Sequence, residues 1–180
     1  MDFVYNDGGR EAAGFRGKKC NDCAVRAIAI VGEFDYRQVY DDLESIVNEL
    51  RKKQERPQTK IANSRRGVPK KVCKKYISDL GWTWTPTMHI GSGCKVHLRA
   101  DELPEGRLVV STSRHLVAVI DGQIHDTHDP SRGGTRCVYG YYRPPSEDTD
   151  DTTARYHQEV AAMRAAAAAD RRRGYERTPY

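Results

Sequence analysis

The fold turns on the stretch Asn21-Asp22-Cys23-Ala24-Val25-Arg26-Ala27-Ile28-Ala29-Ile30. Two short polar residues of the helix-capping kind precede a run in which Val25, Ile28 and Ala29 recur at helical spacing. The pattern predicts a helix from about Asp22 to Val31, capped by Asn21 or Asp22 and stopped by Gly32. Cys23 then falls in the first turn, at the positive end of the helix dipole, which favours thiolate over thiol.

Working outward, Asp35 or Glu33 opens a second helix. Tyr36, Val39, Tyr40, Leu43, Ile46, Val47 and Leu50 form one apolar stripe along it, and Pro57 requires an end near Gln54. Residues 55–67 read as a basic loop. A third helix starts at Val68-Pro69, runs through Val72, Tyr76, Ile77 and Leu80, and closes at Gly81. From Trp82 the period becomes strand-like: Trp82-Thr83-Trp84 alternates, with one indole expected in the core, and Leu108–Thr112 reads as a buried strand. Asp121-Gly122 joins Leu116–Ile120 to Gln123–Thr127 as a hairpin. Cys137–Tyr142 is a last strand, packed through its tyrosines and ended by Pro144-Pro145. Residues 1–19, with Gly8, Gly9, Gly14 and Gly17, read as a looping lead-in. The expected class is α+β, with N-terminal helices packed on a C-terminal antiparallel β-sheet.

Hydrophobic residues make up 38% of the 180 residues and charged ones 31%. The apolar content concentrates in 20–145, which predicts a domain over 1–145 and an appendage over 146–180. That appendage divides into an acidic spacer (146–153) and an alanine-rich helix from about Ala154 to Arg173. Its apolar face is thin, so it is expected to project or to mediate oligomer formation. The formal charge is +5, yet between Arg51 and Lys75 eleven Lys or Arg face a single acid, Glu55. A solvated surface accounts for such a run, and so does attraction to an acidic partner or nucleic acid. No apolar run has bilayer-spanning length, so no membrane partner is expected, and Met1–Asp7 lacks the features of an export signal. Five cysteines without such a signal point to reduced thiols and a cytoplasmic location.

A nucleophilic thiol needs a base, and the base needs a group that holds its tautomer. Cys23 is the candidate nucleophile. In Ser113-Arg114-His115-Leu116-Val117-Ala118-Val119-Ile120, His115 opens a strand, and Asp126 closes the strand returning across Asp121-Gly122. Antiparallel pairing sets residues near 115–117 opposite those near 126–128, with diagonal neighbours about 7–8 Å apart, within reach of an Asp–His contact. Asp126 is the expected orienter, Asp129 the alternative, and His125 and His128 are competing bases. The helix N-terminal amides near the thiol are the oxyanion candidates. Cys20-x-x-Cys23 has zinc-ligand spacing, but a structural site needs a second pair. Cys73, Cys94 and Cys137 stand apart in sequence, and Cys94-x-x-His97 is the only other close pair, so neither metal nor cofactor is expected. Gly91-Ser92-Gly93-Cys94 reads as a tight turn.

The Asn21–Ile30 segment, residues 109–129 and Gly134-Thr135-Arg136-Cys137-Val138-Tyr139-Gly140-Tyr141 together resemble a papain-like (C39-like) cysteine peptidase group found among phage and prophage proteins. The resemblance covers roughly residues 6–143. It implies a papain-like fold, with Cys23 as nucleophile, His115 as general base, Asp126 as orienting acid, and a protein or peptide as substrate. Papain-like enzymes place an oxyanion glutamine a few residues before the cysteine. That position here is Gly17, and no glutamine precedes Cys23, which leaves the role to Asn21 or the Cys23 amide, with Asn6 more remote. A second reading keeps the fold without the activity: a binding protein engaging a host factor or nucleic acid through 51–75.

Overall fold

Three helices and a six-stranded sheet make up the computed structural model, which describes residues 1–16, 21–57 and 67–145. Strand β1 (Asp2–Tyr5) precedes helices α1 (Cys23–Gly32), α2 (Tyr36–Lys53) and α3 (Lys70–Asp79). Strands β2 (Thr83–Pro86), β3 (Arg107–Thr112), β4 (His115–Ile120), β5 (Gln123–Asp126) and β6 (Val138–Arg143) follow. The sheet order is β1-β5-β4-β3-β6-β2. Asp121 and Gly122 both take positive φ (46° and 73°), the turn chemistry a two-residue hairpin demands. The resulting register pairs Ala118 with His125 and Ile120 with Gln123. The first residue of β4 and the last of β5 are thereby brought to one end of the sheet.

Alternation along the strands feeds two hydrophobic clusters. Val109 and Ala118 pack with Val25, Ile28 and Ala29 of α1 and with the apolar stripe of α2, Trp82 and Tyr142. Leu108, Val110, Val117, Val119 and Ile124 pack instead with Leu98 and Leu103 from the segment preceding β3. Helix α1 is fixed at its C-terminal end by a strand residue. Arg107 donates from Nε to the Val31 carbonyl (2.7 Å) and from Nη2 to the Ile30 carbonyl. A cation thus meets the negative end of the helix dipole.

Several expectations are corrected. The lead-in contains β1, which runs parallel to β5 and pairs Tyr5 with Asp126. The sheet is therefore mixed, not antiparallel. Every residue of β1 is exposed, so the burial alternation that betrays a strand is missing there. The Asp22 side chain makes no capping hydrogen bond, because Arg26 and Tyr36 claim its carboxylate. Nor are all the thiols reduced: Cys94 and Cys137 form a disulfide across a separation of 43 residues. Pairing of His97 with Cys137, and the Val138 amide donating to the Val96 carbonyl (2.8 Å), carry Cys94 to the start of β6. Around Gly91 the chain turns tightly, and the His97–Cys137 bridge lies between that turn and β3.

Residues 1–144 hold together as one compact unit. The expected acidic spacer, tail helix and oligomer contact lie outside the described residues, as do Cys20 and most of the basic loop. No helix among the described residues is long and apolar enough to cross a membrane.

Candidate active site

Cys23 is the first residue of α1 and is half-buried. Asp22 precedes it as N-cap with no side-chain bond to the first-turn amides, so no capping side chain occupies those N–H groups. The hairpin presents His115 to the same point. His115 and the Leu116 backbone stand beside the Cys23 sulfur and favour its ionised form. On its other side His115 Nε2 meets Asp126 Oδ2 at 2.6 Å. With Nε2 committed to the carboxylate, Nδ1 is the nitrogen left for the thiol.

Behind this trio lies a buried charge network. Arg26, one helical turn along α1 from Cys23, is 5% exposed. It donates from Nη2 to Asp126 Oδ1 (2.9 Å) and from Nη1 to Asp22. Asp22 also accepts from the Tyr36 hydroxyl (2.7 Å), and Arg10 approaches it at 4.0 Å. Asp126 Oδ1 takes a further bond from the Thr127 amide (2.7 Å). Buried charges persist only when each is answered, and here every carboxylate has a guanidinium or imidazole partner. The network ties α1 to the end of the hairpin and sets where His115 stands relative to Cys23.

Electrostatics follow from this geometry. Burial pushes the Cys23 thiol up, but the hydrogen bond and charge of His115, the Leu116 backbone bond and the charge of Arg26 outweigh it and hold the thiol below its ordinary value. Burial alone would lower His115; bonds to Asp126 and Cys23 and their negative charges raise it to about 9. Asp126 is held below the usual carboxylate range: His115, Arg26 and the Thr127 amide overcome the upward effect of burial. Both shifts favour the thiolate–imidazolium form of the pair over the neutral one. Cys73 is the contrast, since burial and the nearby Cys23 charge push its thiol up to about 12.

The remaining sequence candidates fall into place around this trio. Asp129 does not reach His115; its Oδ1 accepts from the Ser131 amide (2.8 Å), leaving Asp126 as the carboxylate on the imidazole. His128 lies beside His115, with ring centroids 5.2 Å apart, whereas burial and the charge of Arg107 hold His125 below its ordinary value. Asn21 is exposed, immediately before the cap, and Gly67 (φ 64°) runs so close to its carbonyl that a side chain there would collide. Asn6 accepts the Gly8 amide on its side chain and donates its own amide to the Asp126 carbonyl (2.9 Å). In the basic segment, the described lysines of α3 are exposed, and Lys75 pairs with Asp79 at 2.8 Å. Beside His115 opens a cleft of about 620 Å³, lined in part by Arg114, Arg132, Arg136 and His128. Among the described residues no group of three or more His, Cys, Asp or Glu is placed to hold a metal ion.

Arg26, Asp22 and Tyr36 went unrecognised in the sequence as site residues. The signal was present: Arg26 interrupts an otherwise apolar helix, and a cation buried there demands carboxylates. No family model, no curated protein and no solved structure matches the chain.

Proposed function

We propose that this chain is a papain-like cysteine hydrolase, a peptidase or related acyl-transfer enzyme of the kind its sequence resembles among phage and prophage proteins. The observation that carries the proposal is the Cys23–His115–Asp126 arrangement: a depressed thiol, an imidazole raised to about 9, and a carboxylate 2.6 Å from it. In this reading the Cys23 thiolate attacks the carbonyl carbon of an amide, and the oxyanion forms next to the first-turn N–H groups of α1 and Asn21. The His115 imidazolium gives its proton to the departing amine as the C–N bond breaks, which leaves a thioester. Water then attacks the thioester, His115 takes its proton, and collapse releases the carboxylic acid and restores the thiolate. Asp126 keeps Nδ1 of His115 aimed at sulfur throughout. Arg26 acts one step back, as a positioning residue for Asp126.

The test is active-site labelling joined to substitution. A neutral cysteine-directed peptidyl electrophile is expected to modify Cys23, and His115→Ala should slow that modification by about 10²–10⁴-fold. Cys23→Ala should abolish turnover while the circular dichroism of the fold stays unchanged. Turnover retained by Cys23→Ala would refute the proposal. A cytoplasmic site of action belongs to the same reading, and the Cys94–Cys137 bond is the feature that weighs against it. Trapping thiols in intact cells tests it: Cys94 and Cys137 recovered in the reduced form would support a cytoplasmic site, and recovery of the disulfide would contradict it.

A further inference from the structure

The cleft beside His115 carries an imbalance of charge. Arg114 and Arg132 line it, and neither forms an ion pair with any carboxylate among the described residues. Arg136 joins them, donating from Nη2 to the Ser113 carbonyl, while its Nε is buried with no hydrogen-bond partner. The one acid in the lining, Asp129, already accepts the Ser131 amide. Burial and the charge of Arg132 both weigh against the Arg136 cation. Like charges gathered on one wall repel one another until a counter-charge arrives.

The backbone that carries the arginines adds a second observation. Arg114 and Arg132 both hold left-handed φ (59° and 54°), a region that disfavours side-chain-bearing residues. Arg114 sits in the tight turn joining β3 to β4, one residue before His115. Arg136 is held through its backbone as well, its amide donating to the Ser131 carbonyl (2.9 Å) and its carbonyl accepting from Leu98 (2.8 Å). The guanidinium groups are thus mounted on fixed loops around His115, which suits planar, two-pronged recognition of a carboxylate.

We propose that this cleft receives a carboxylate of the polypeptide substrate next to the bond Cys23 attacks, so that the enzyme selects acidic substrates. The inference rests on the hydrolase reading above and narrows its substrate class. The carboxylate can come from an Asp or Glu side chain or from a free C-terminus, and the two sources are separable by experiment.

Peptides built around an internal Michael acceptor serve as probes, with formation of the Cys23 adduct followed by mass spectrometry. One pair differs only by Glu or Gln beside the acceptor, the other only by a C-terminal carboxylate or carboxamide. In the wild-type protein the acidic member of at least one pair is expected to react about tenfold faster, the scale of one well-placed charge pair. The pair that discriminates identifies the source. Arg114→Gln and Arg132→Gln change exposed residues. Together they should bring the acid-to-amide ratio to near unity, and Arg132→Glu should invert it. Equal rates for acid and amide in the wild-type protein would overturn the inference while leaving the hydrolase reading intact. So would a preference that survives both glutamine substitutions. Failure of every probe, neutral ones included, to modify Cys23 would instead overturn the hydrolase reading, and this inference with it.

Discussion

Cys23 is half-buried and Cys73 buried, yet burial pushes both thiols up while only that of Cys23 ends below its ordinary value, and the difference lies in their neighbours. Cys73 has burial and a like charge against ionisation; Cys23 has an imidazole, a backbone amide and a guanidinium in favour of it. The pH dependence follows. His115 is raised to about 9, so the stability its imidazolium contributes is complete below the unfolded value near 6.5 and is lost as pH rises through about 9. The Cys23 thiolate, with a depressed value, contributes stability above the ordinary thiol value of 9.0 that is lost as pH falls through its lowered one. The ion pair therefore occupies the window between the lowered thiol value and about 9. The pH profile of kcat/KM is expected to fall on the alkaline side near 9, and Asp126→Asn should move that fall to lower pH by removing the bond and charge that raise His115. An alkaline limb left in place by Asp126→Asn would show that Asp126 does not set it. The helix start at Cys23 and the approach of Asp126 to His115 were legible in the sequence, because an apolar helical run and a two-residue hairpin turn locate residues without any knowledge of packing. The part played by Asp22 was not, since a cap and a buried counter-ion look alike until Arg26 is seen to need one.

Helix α1 is held at both ends by arginines. Arg107 closes its C-terminal carbonyls from β3, and Arg26 joins its first turn to the last residue of β5. Taking one member from a buried ion network strands its partners in a poor solvent, a cost of about 3–5 kcal/mol. Arg26→Met should therefore lower the unfolding free energy by that amount in a urea titration at pH 7, with Ile28→Val, expected at about 0.5–1.5 kcal/mol, as the packing control. A loss no larger than the control would mean that Arg26 does not tie helix to hairpin. Helices α2 and α3 were readable from apolar residues at helical spacing, and the central strands from unbroken apolar runs bounded by turn residues. Strand β1 was not: four exposed residues beside a glycine-rich turn carry no period, and only parallel pairing with β5 makes them a strand.

Taken whole, the described chain is a mixed sheet with helices on one face and an irregular segment, 87–106, associated with the other. That segment has little regular structure of its own, and its Leu98 and Leu103 fill the second hydrophobic cluster. The Cys94–Cys137 bond pins it to the start of β6, next to the arginine cleft. Closing a loop of this length restricts the unfolded chain, so Cys94→Ser with Cys137→Ser should cost about 2–4 kcal/mol of stability. Thermal melts with and without a reducing agent check this, and reduction should lower the melting temperature of the wild-type protein alone. Equal sensitivity of the double variant to reductant would place the effect elsewhere. The pairing was illegible in the sequence because disulfide partners are chosen by the fold, and cysteine spacing does not encode which strands meet.

The central claim is that His115 holds Cys23 as a thiolate, and the pH dependence of Cys23 alkylation by iodoacetamide, read on the Cys23 peptide by mass spectrometry, tests it most directly. In the wild-type protein the rate should reach half its maximum below the ordinary thiol value of 9.0. In His115→Ala the midpoint should rise above 9.0, since burial then acts with less to oppose it. A wild-type midpoint at or above the ordinary thiol value, unchanged in His115→Ala, would contradict the account.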